Sequence, residues 1–310
     1  MVLEVRVTAA GGDPGVAEVF VGEFDSGRRA EFVLAGVPGV PRSTKTVAVL
    51  SSQDGCPVGC AMCDAGAWFA GSLDAAEIRA QLDWLARRSP GALERCALLK
   101  VHFARMGEPA LNPAVLDVLE GLGNECRANL MPVISTVAPR GSEGWFARLR
   151  EIRDRHFGGG MFQLQFSVHS TSEQVRDALI PYPRWTLEEI GCFGAGWCRP
   201  GDRLVTLNFA LSGRDLPDPA ALARHCPPSS FLVKLTPVNP TASAVREGLW
   251  TGPAGSFAEL ADRAAAALAM RGYRVLPSVG DPREDAIGSN CGMAVGPPVR
   301  GSWPAAAPAR

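Results

Sequence analysis

From residue 44 onward, short apolar runs alternate with longer amphipathic stretches. Residues 44–50 (TKTVAVL) read as a buried strand. Residues 72–88 read as a helix, with Ser72 or Asp74 as its cap and Glu77 in its first turn. The alternation continues with strands at 97–103, 130–136, 162–168, 204–211, 231–235 and 273–277. Helices are expected at 113–122, 144–156, 173–179, 186–192, 219–225 and 257–271. Some six β/α units in succession imply an α/β fold with a parallel sheet curved into a barrel. Ahead of them, residues 3–8 and 16–34 alternate apolar and polar positions around turn residues, the pattern of short antiparallel strands. A breaker run, Gly36-Val37-Pro38-Gly39-Val40-Pro41, comes next. We therefore expect an N-terminal β extension over 1–43, a barrel over 44–300 and a flexible Pro- and Ala-rich tail over 301–310.

Composition narrows the possibilities. A chain of 310 residues can bury one large core. Lys and Arg number 31 against 32 Asp and Glu, a net charge of −1. A large polyanionic substrate usually draws a basic excess or tail, so the balance argues against one, while leaving room for a local basic groove. Nine cysteines cannot all pair within one chain, and their spacing is irregular. A reducing cytoplasm is the natural compartment. The first residues, MVLEVR, lack a signal-peptide pattern, and no run approaches the roughly 18 apolar residues of a membrane span.

The chemistry begins at Cys56-Pro57-Val58-Gly59-Cys60-Ala61-Met62-Cys63. Three thiolates spaced C-x3-C-x2-C can each hold one iron of a [4Fe-4S] cube and leave the fourth iron without a protein ligand. Soft thiolates suit iron–sulfur clusters, and a structural zinc site would need a fourth Cys or His nearby. This spacing is the mark of radical S-adenosylmethionine (SAM) enzymes. Further segments match in order: SSQDGCPVGCAMC, FARMGEP, ISTVAP, FSVHSTSEQVRDALIP, VKLTPVNP and SNCG. Over about 44–291 the chain resembles the RlmN/Cfr family of radical SAM methyltransferases, which methylate adenine carbons of ribosomal RNA and tRNA. The resemblance implies a partial (β/α)6 radical SAM barrel with the cluster at the top of its first strand. It implies cluster ligation by Cys56, Cys60 and Cys63, and SAM contacts from Gly107, Glu108, Ser135, Ser167 and Asn239. Glu108 is expected to accept hydrogen bonds from the methionine ammonium, while Gly107 lets the backbone approach. His169 is assigned a supporting role near the reacting groups. Cys291 matches the cysteine that takes a methyl group from one SAM. A radical made from a second SAM then activates that methyl for addition to an sp2 carbon. Flavodoxin or ferredoxin is the implied electron donor.

Two departures separate the chain from that pattern. Where the family has a further cysteine, seven residues before Cys56, this chain has Val49. That cysteine acts as a base and resolves the protein–substrate adduct; valine can do neither. Cys226 and Cys192 are candidate replacements, unless the later chemistry differs. The segment ahead of the cluster is also shorter than in the RNA methyltransferases and lacks their RNA-binding domain. The expected substrate is therefore a small molecule, nucleoside-like or from a biosynthetic pathway, with a peptide or RNA as alternatives. Direct hydrogen abstraction from substrate, for rearrangement, dehydrogenation or sulfur insertion, is the rival reaction class. A non-enzymatic iron–sulfur sensor is the rival outside enzymes, and it would not need the SAM-contact segments. Trp68, Trp185, Trp197 and Trp250 are candidates to line the substrate side.

Overall fold

Strand alternation builds the architecture. In β7 (Leu98–Phe103), Leu99, Val101 and Phe103 are fully buried and Leu98, Lys100 and His102 are half-buried. The buried set joins the main core, together with Ile78, Leu82 and Leu85 of the helix Ala75–Arg88 and Val115, Leu119 and Leu122 of the helix Ala114–Asn124. Burying side chains of this size contributes about 1.5–3 kcal/mol each. One face of the strand is thus sealed by helices, and the other is left for polar residues.

This computed structural model describes residues 4–212, 215–250, 252, 254–281 and 283–287. Besides β7, its strands are β1 (Arg6–Asp13), β2 (Ala17–Glu23), β3 (Arg29–Ala35), β4 (Lys45–Leu50), β5 (Gln53–Gly55), β6 (Phe69–Ser72), β8 (Leu130–Thr136), β9 (Gln163–Ser167), β10 (Val205–Leu211), β11 (Phe231–Pro237) and β12 (Val275–Pro277). Ten of them form one sheet in the order β1-β2-β3-β4-β7-β8-β9-β10-β11-β12. The β1 to β4 pairings are antiparallel, and every pairing from β4 onward is parallel. The parallel run is the expected α/β partial barrel, with β12 as a short seventh parallel strand. Helices fall in the connections between parallel strands, as right-handed crossovers require.

Local signals explain the element ends. Asp74 caps Ala75–Arg88 and exchanges hydrogen bonds with Glu77 in a capping box. Thr186 and Glu189 do the same for the helix Leu187–Ala195. The β5–β6 hairpin, the helix Ala242–Arg246 and the helix Arg283–Ile287 were not expected from periodicity. All are five residues or shorter per element, too brief to show a period. Trp185 and Trp197 are 5% and 2% exposed and stack with Phe146, Phe162 and Phe193 in the core, so they do not line a substrate surface. Trp68 is half-buried beside the cysteine loop, and Trp250 is exposed.

The antiparallel strands brace the parallel ones. Glu31 of β3 receives Arg105 at 2.6 Å, both side chains being 1% exposed. Ser51 Oγ donates to the Glu31 carbonyl at 2.5 Å. A buried ion pair of this kind fixes geometry more than it adds stability. Here it locks the loop after β7 against β3.

Candidate functional site

The loop between β5 and β6 carries the three cysteines, at the carboxyl end of β4. Sites in α/β sheets gather at that end because successive loops converge there. The hairpin holds the loop's two ends together: the Cys56 amide donates to the Trp68 carbonyl at 2.9 Å, and Trp68 Nε1 donates to Asp54 at 2.8 Å. The loop also docks on later elements. Ala61 N donates to the Leu179 carbonyl at 2.9 Å. Thr241 Oγ1 donates to the Met62 carbonyl at 2.8 Å, and the Asp64 carboxylate accepts from Ala242 and Ser243 amides at 3.0 and 2.8 Å. Asn239 is half-buried in that same loop after β11.

All three thiols are half-buried and near enough that the charge of each of Cys56 and Cys63 acts on Cys60. Burial pushes the Cys56 thiol up to about 12 and the Cys60 thiol well above its ordinary value, with the neighbouring thiols and Glu108 adding to it. Amides of Val58 and Gly59 at the Cys56 sulfur pull the other way. Such thiols ionise when a cationic centre binds them. Among the described residues no three His, Cys, Asp or Glu side chains close on a single-ion site. In a [4Fe-4S] cube each thiolate takes a different iron, so the three need not converge on one point. The soft, mutually close donor set without a fourth ligand therefore fits a [4Fe-4S] cluster.

The loop after β7 is built against the cysteine loop. Gly107 has φ +95°, and a Cβ there would lie 2.6 Å from Ser52 Oγ and 2.7 Å from Gln53. Glu108 N donates to Gln53 Oε1 at 2.9 Å. The Glu108 carboxylate is 4% exposed and accepts from Thr136 Oγ1 at 2.5 Å, Val137 N at 2.9 Å and Ala110 N at 3.0 Å. Burial pushes its pKa up to about 7 despite these donors. A carboxylate offers about four acceptor positions, so about one remains for a cation. Asn112 Nδ2 closes the frame on the Ser52 and Leu73 carbonyls at 2.7 and 2.8 Å.

The remaining candidates lie along the parallel strands. Ser135 on β8 bonds His102 Nε2 at 2.7 Å, and Ser167 is half-buried at the carboxyl end of β9. His169 has φ +65°, and its Nδ1 accepts from the Ala210 amide at 3.1 Å. That bond leaves Nε2 as the protonated nitrogen. Burial, with Arg176 adding, brings the His169 pKa down to about 4; burial, with Lys234 and Lys100, brings His102 down to about 3. Both imidazoles are neutral in the folded protein near neutral pH. A folded pKa depressed below the unfolded value of 6.5 means that stability present above pH 6.5 is lost as pH falls toward 4 and 3. The unfolding free energy from urea titrations should therefore fall on acidification by about 1.4 kcal/mol per pH unit for each histidine between its two pKa values, and His102→Gln should flatten part of the drop.

Cys291 lies outside the described residues. Neither replacement for the missing cysteine stands beside Val49. Cys226 is fully buried in the main core, its thiol pushed up to about 12 by burial, and Cys192 is exposed on the outer helix Leu187–Ala195. The residues registered opposite Val49 are Val33 on β3 and His102 on β7. An open cleft of about 530 Å³ is lined by Arg140, Glu173, Asp177, Tyr182 and Arg184, and through Ile180 and Pro181 it adjoins the cysteine loop. Its arginines are matched, Arg184 to Asp177 at 3.1 Å and Arg140 to Glu189 at 3.0 Å. Sequence reasoning missed Gln53, Asp64, Thr136 and Thr241, whose roles come from tertiary contacts. It also missed Lys100, His102 and Lys234, which a strict period-2 reading of LLKVHF and FLVKLTP could have found.

No protein-family model matches the chain. A probable dual-specificity RNA methyltransferase RlmN from Parafrankia sp. (strain EAN1pec) is 30% identical over 94% of this chain and 75% of its own length. The chain belongs to the RlmN/Cfr family of radical SAM methyltransferases. Proteins of the same name from Thermotoga sp. (strain RQ2) and Pelodictyon phaeoclathratiforme (strain DSM 5477 / BU-1) are 27% and 28% identical, over 74% and 69% of this chain. The chain spans 64% and 58% of those two relatives. The fold matches a radical SAM methyltransferase from Sphaerobacter thermophilus, with a TM-score of 0.73 at 23% identity, over 94% of this chain and 81% of that one. Membership in the RlmN/Cfr family makes the chain an enzyme of the methyltransferase class, and SAM and a [4Fe-4S] cluster are the cofactors of that family in general. No helix among the described residues is long and apolar enough to cross a membrane.

Proposed function

We propose that this RlmN/Cfr-family enzyme methylates an sp2 carbon of a small molecule at the carboxyl end of the parallel strands. The observation that carries the reading is the convergence there of three mutually close thiols with the Glu108 carboxylate, whose charge acts on both Cys56 and Cys60. Cys56, Cys60 and Cys63 would hold the cluster, and SAM's amino group would meet Glu108. When bound, cluster and SAM together supply the methyl group and the 5′-deoxyadenosyl radical. The chain's own residues orient these groups. Gly107 admits close backbone approach because it has no Cβ to meet Ser52. Ser167 and Asn239 offer polar atoms at neighbouring strand ends, and Ser135 does so through His102. His169, held through Nδ1, presents Nε2–H as a positioning donor. Cys291 would accept the methyl group as a thiolate. Flavodoxin or ferredoxin in the cytoplasm would deliver the electron.

A small molecule is favoured because the chain has a net charge of −1 and no basic excess for a polyanion. RNA is the second reading, favoured by the names of the relatives. The test is peptide mass mapping of anaerobically reconstituted protein after incubation with SAM. An S-methyl or methylene mark on Cys291 is expected. An unmarked Cys291 under conditions that convert SAM to 5′-deoxyadenosine would point to direct hydrogen abstraction instead.

A further inference from the structure

Between β4 and the cysteine loop runs a buried segment, Ser51-Ser52-Gln53, whose residues are 0%, 2% and 1% exposed. Its polar atoms are gripped from two sides. Gln81 of the helix Ala75–Arg88, itself 0% exposed, takes both main-chain polar atoms of Ser51. Its Oε1 accepts from Ser51 N at 2.9 Å, and its Nε2 donates to the Ser51 carbonyl at 3.0 Å. Toward the loop after β7, Ser51 Oγ accepts from Met106 N at 3.1 Å and Ser52 N donates to the Met106 carbonyl at 2.8 Å. Gln53 reaches two elements at once. Its Oε1 accepts from Glu108 N at 2.9 Å, and its Nε2 donates to Ser72 Oγ at 3.2 Å across the β5–β6 pair. A backbone N–H can only donate, so the Glu108 bond decides which way the Gln53 carboxamide faces. The stem counts as well: a Cβ at Gly107 would lie 2.7 Å from both Cβ and Cγ of Gln53. Stem and head together hold residues 107 and 108.

We propose that Gln53 is a positioning residue for SAM binding: it ties the main chain of Glu108 to the hairpin that carries the three cysteines, with Gln81 fixing the segment from behind. The Glu108 carboxylate is held at its tip by Thr136, Val137 and Ala110. At its root, the Glu108 amide is held by Gln53, three residues ahead of Cys56. One side chain thus joins the strand leading into the cysteine loop to the residue that carries the carboxylate. Burying a carboxamide has a desolvation cost that an apolar side chain of the same size avoids, and the net return of its hydrogen bonds is modest. A fully satisfied buried network does something else: it rigidifies and specifies a single arrangement. Two such glutamines on one segment, between the two loops that must meet, point to positioning rather than packing. The role rests on Glu108 being the contact for SAM's amino group.

SAM would be titrated calorimetrically into iron-replete, full-length protein, beside an iron assay and a urea unfolding curve. Gln53→Met keeps a stem under Gly107 and removes both hydrogen bonds, so SAM affinity should fall about tenfold while iron content stays at its wild-type level. Gln53→Glu keeps an oxygen for the Glu108 amide in either protonation state, and its second oxygen meets the Ser72 hydroxyl. Affinity should then return to within about threefold of wild type. Ser72→Ala, at a half-buried position, frees the far end of the Gln53 carboxamide and should weaken SAM binding about twofold to threefold. A merely structural glutamine would lower the unfolding midpoint in Gln53→Met and leave the SAM affinity of the folded, iron-replete variant unchanged. That result would overturn the role, as would a loss that Gln53→Glu does not restore. Should Gln53→Met fail to load iron, Ser72→Ala decides, and unchanged SAM affinity there overturns the role. Glu108→Gln measured in parallel separates the two failures. Unchanged affinity in Glu108→Gln removes the SAM contact itself, whereas a loss there with none in Gln53→Met removes only the positioning role.

Discussion

Cys60→Ala removes iron binding: after anaerobic reconstitution, iron should fall from about four per chain to below about one, with loss of the broad visible absorbance. Cys60 is the middle member of the triplet, coupled to the thiols on both sides. With two thiolates left, two iron corners lack protein ligands, and the loop is too tightly tied to reshape around a replacement. The hairpin pairs β5 with β6, Thr241 holds the Met62 carbonyl, and the Ala61 amide is held by Leu179. Cys126→Ala is the control, since Cys126 is exposed outside this loop and should leave the iron content unchanged. Full iron in Cys60→Ala would rule out the ligand assignment.

Glu108→Gln separates SAM binding from cluster binding. The carboxylate accepts three hydrogen bonds while keeping an acceptor position for a cation. Glutamine loses the charge, and its NH2 must face a backbone donor, either the Val137 amide or the Ala110 amide. SAM affinity should fall about 100-fold, near 3 kcal/mol, because a charge-assisted bond is lost and a buried donor is left unmatched. Stability should fall by about 1–3 kcal/mol for the same reason. Iron content should stay at its wild-type level. Calorimetric titration of SAM beside an iron assay reads both, and unchanged SAM affinity would exclude Glu108 from that contact.

The parallel strands and most helices were legible because each has a period long enough to see. The helices Glu173–Leu179 and Pro219–His225 begin where capping residues place them, at Ser172 and Asp218. The cysteine triplet and the Gly-Glu-Pro turn were legible because their chemistry needs fixed spacing. The contacts that hold them together were not. Asp64 caps a five-residue helix 178 positions away, and Arg105 reaches Glu31 across the sheet. No local pattern encodes either contact. Trp185 and Trp197 could pass for substrate-facing residues because tryptophan suits both core and rim, and only packing against Phe146 and Phe193 decides. The lysines of the polar face were hidden by the apolar residues that alternate with them.

The central claim is that the three-cysteine loop holds a cluster whose open iron takes SAM beside Glu108. Electron paramagnetic resonance of the reduced, reconstituted protein, recorded with and without SAM, tests it most directly. The account predicts a [4Fe-4S] signal that SAM shifts in the wild type, that SAM leaves unmoved in Glu108→Gln, and that is absent in Cys60→Ala. A wild-type signal that SAM does not change, or one that survives in Cys60→Ala, would contradict it.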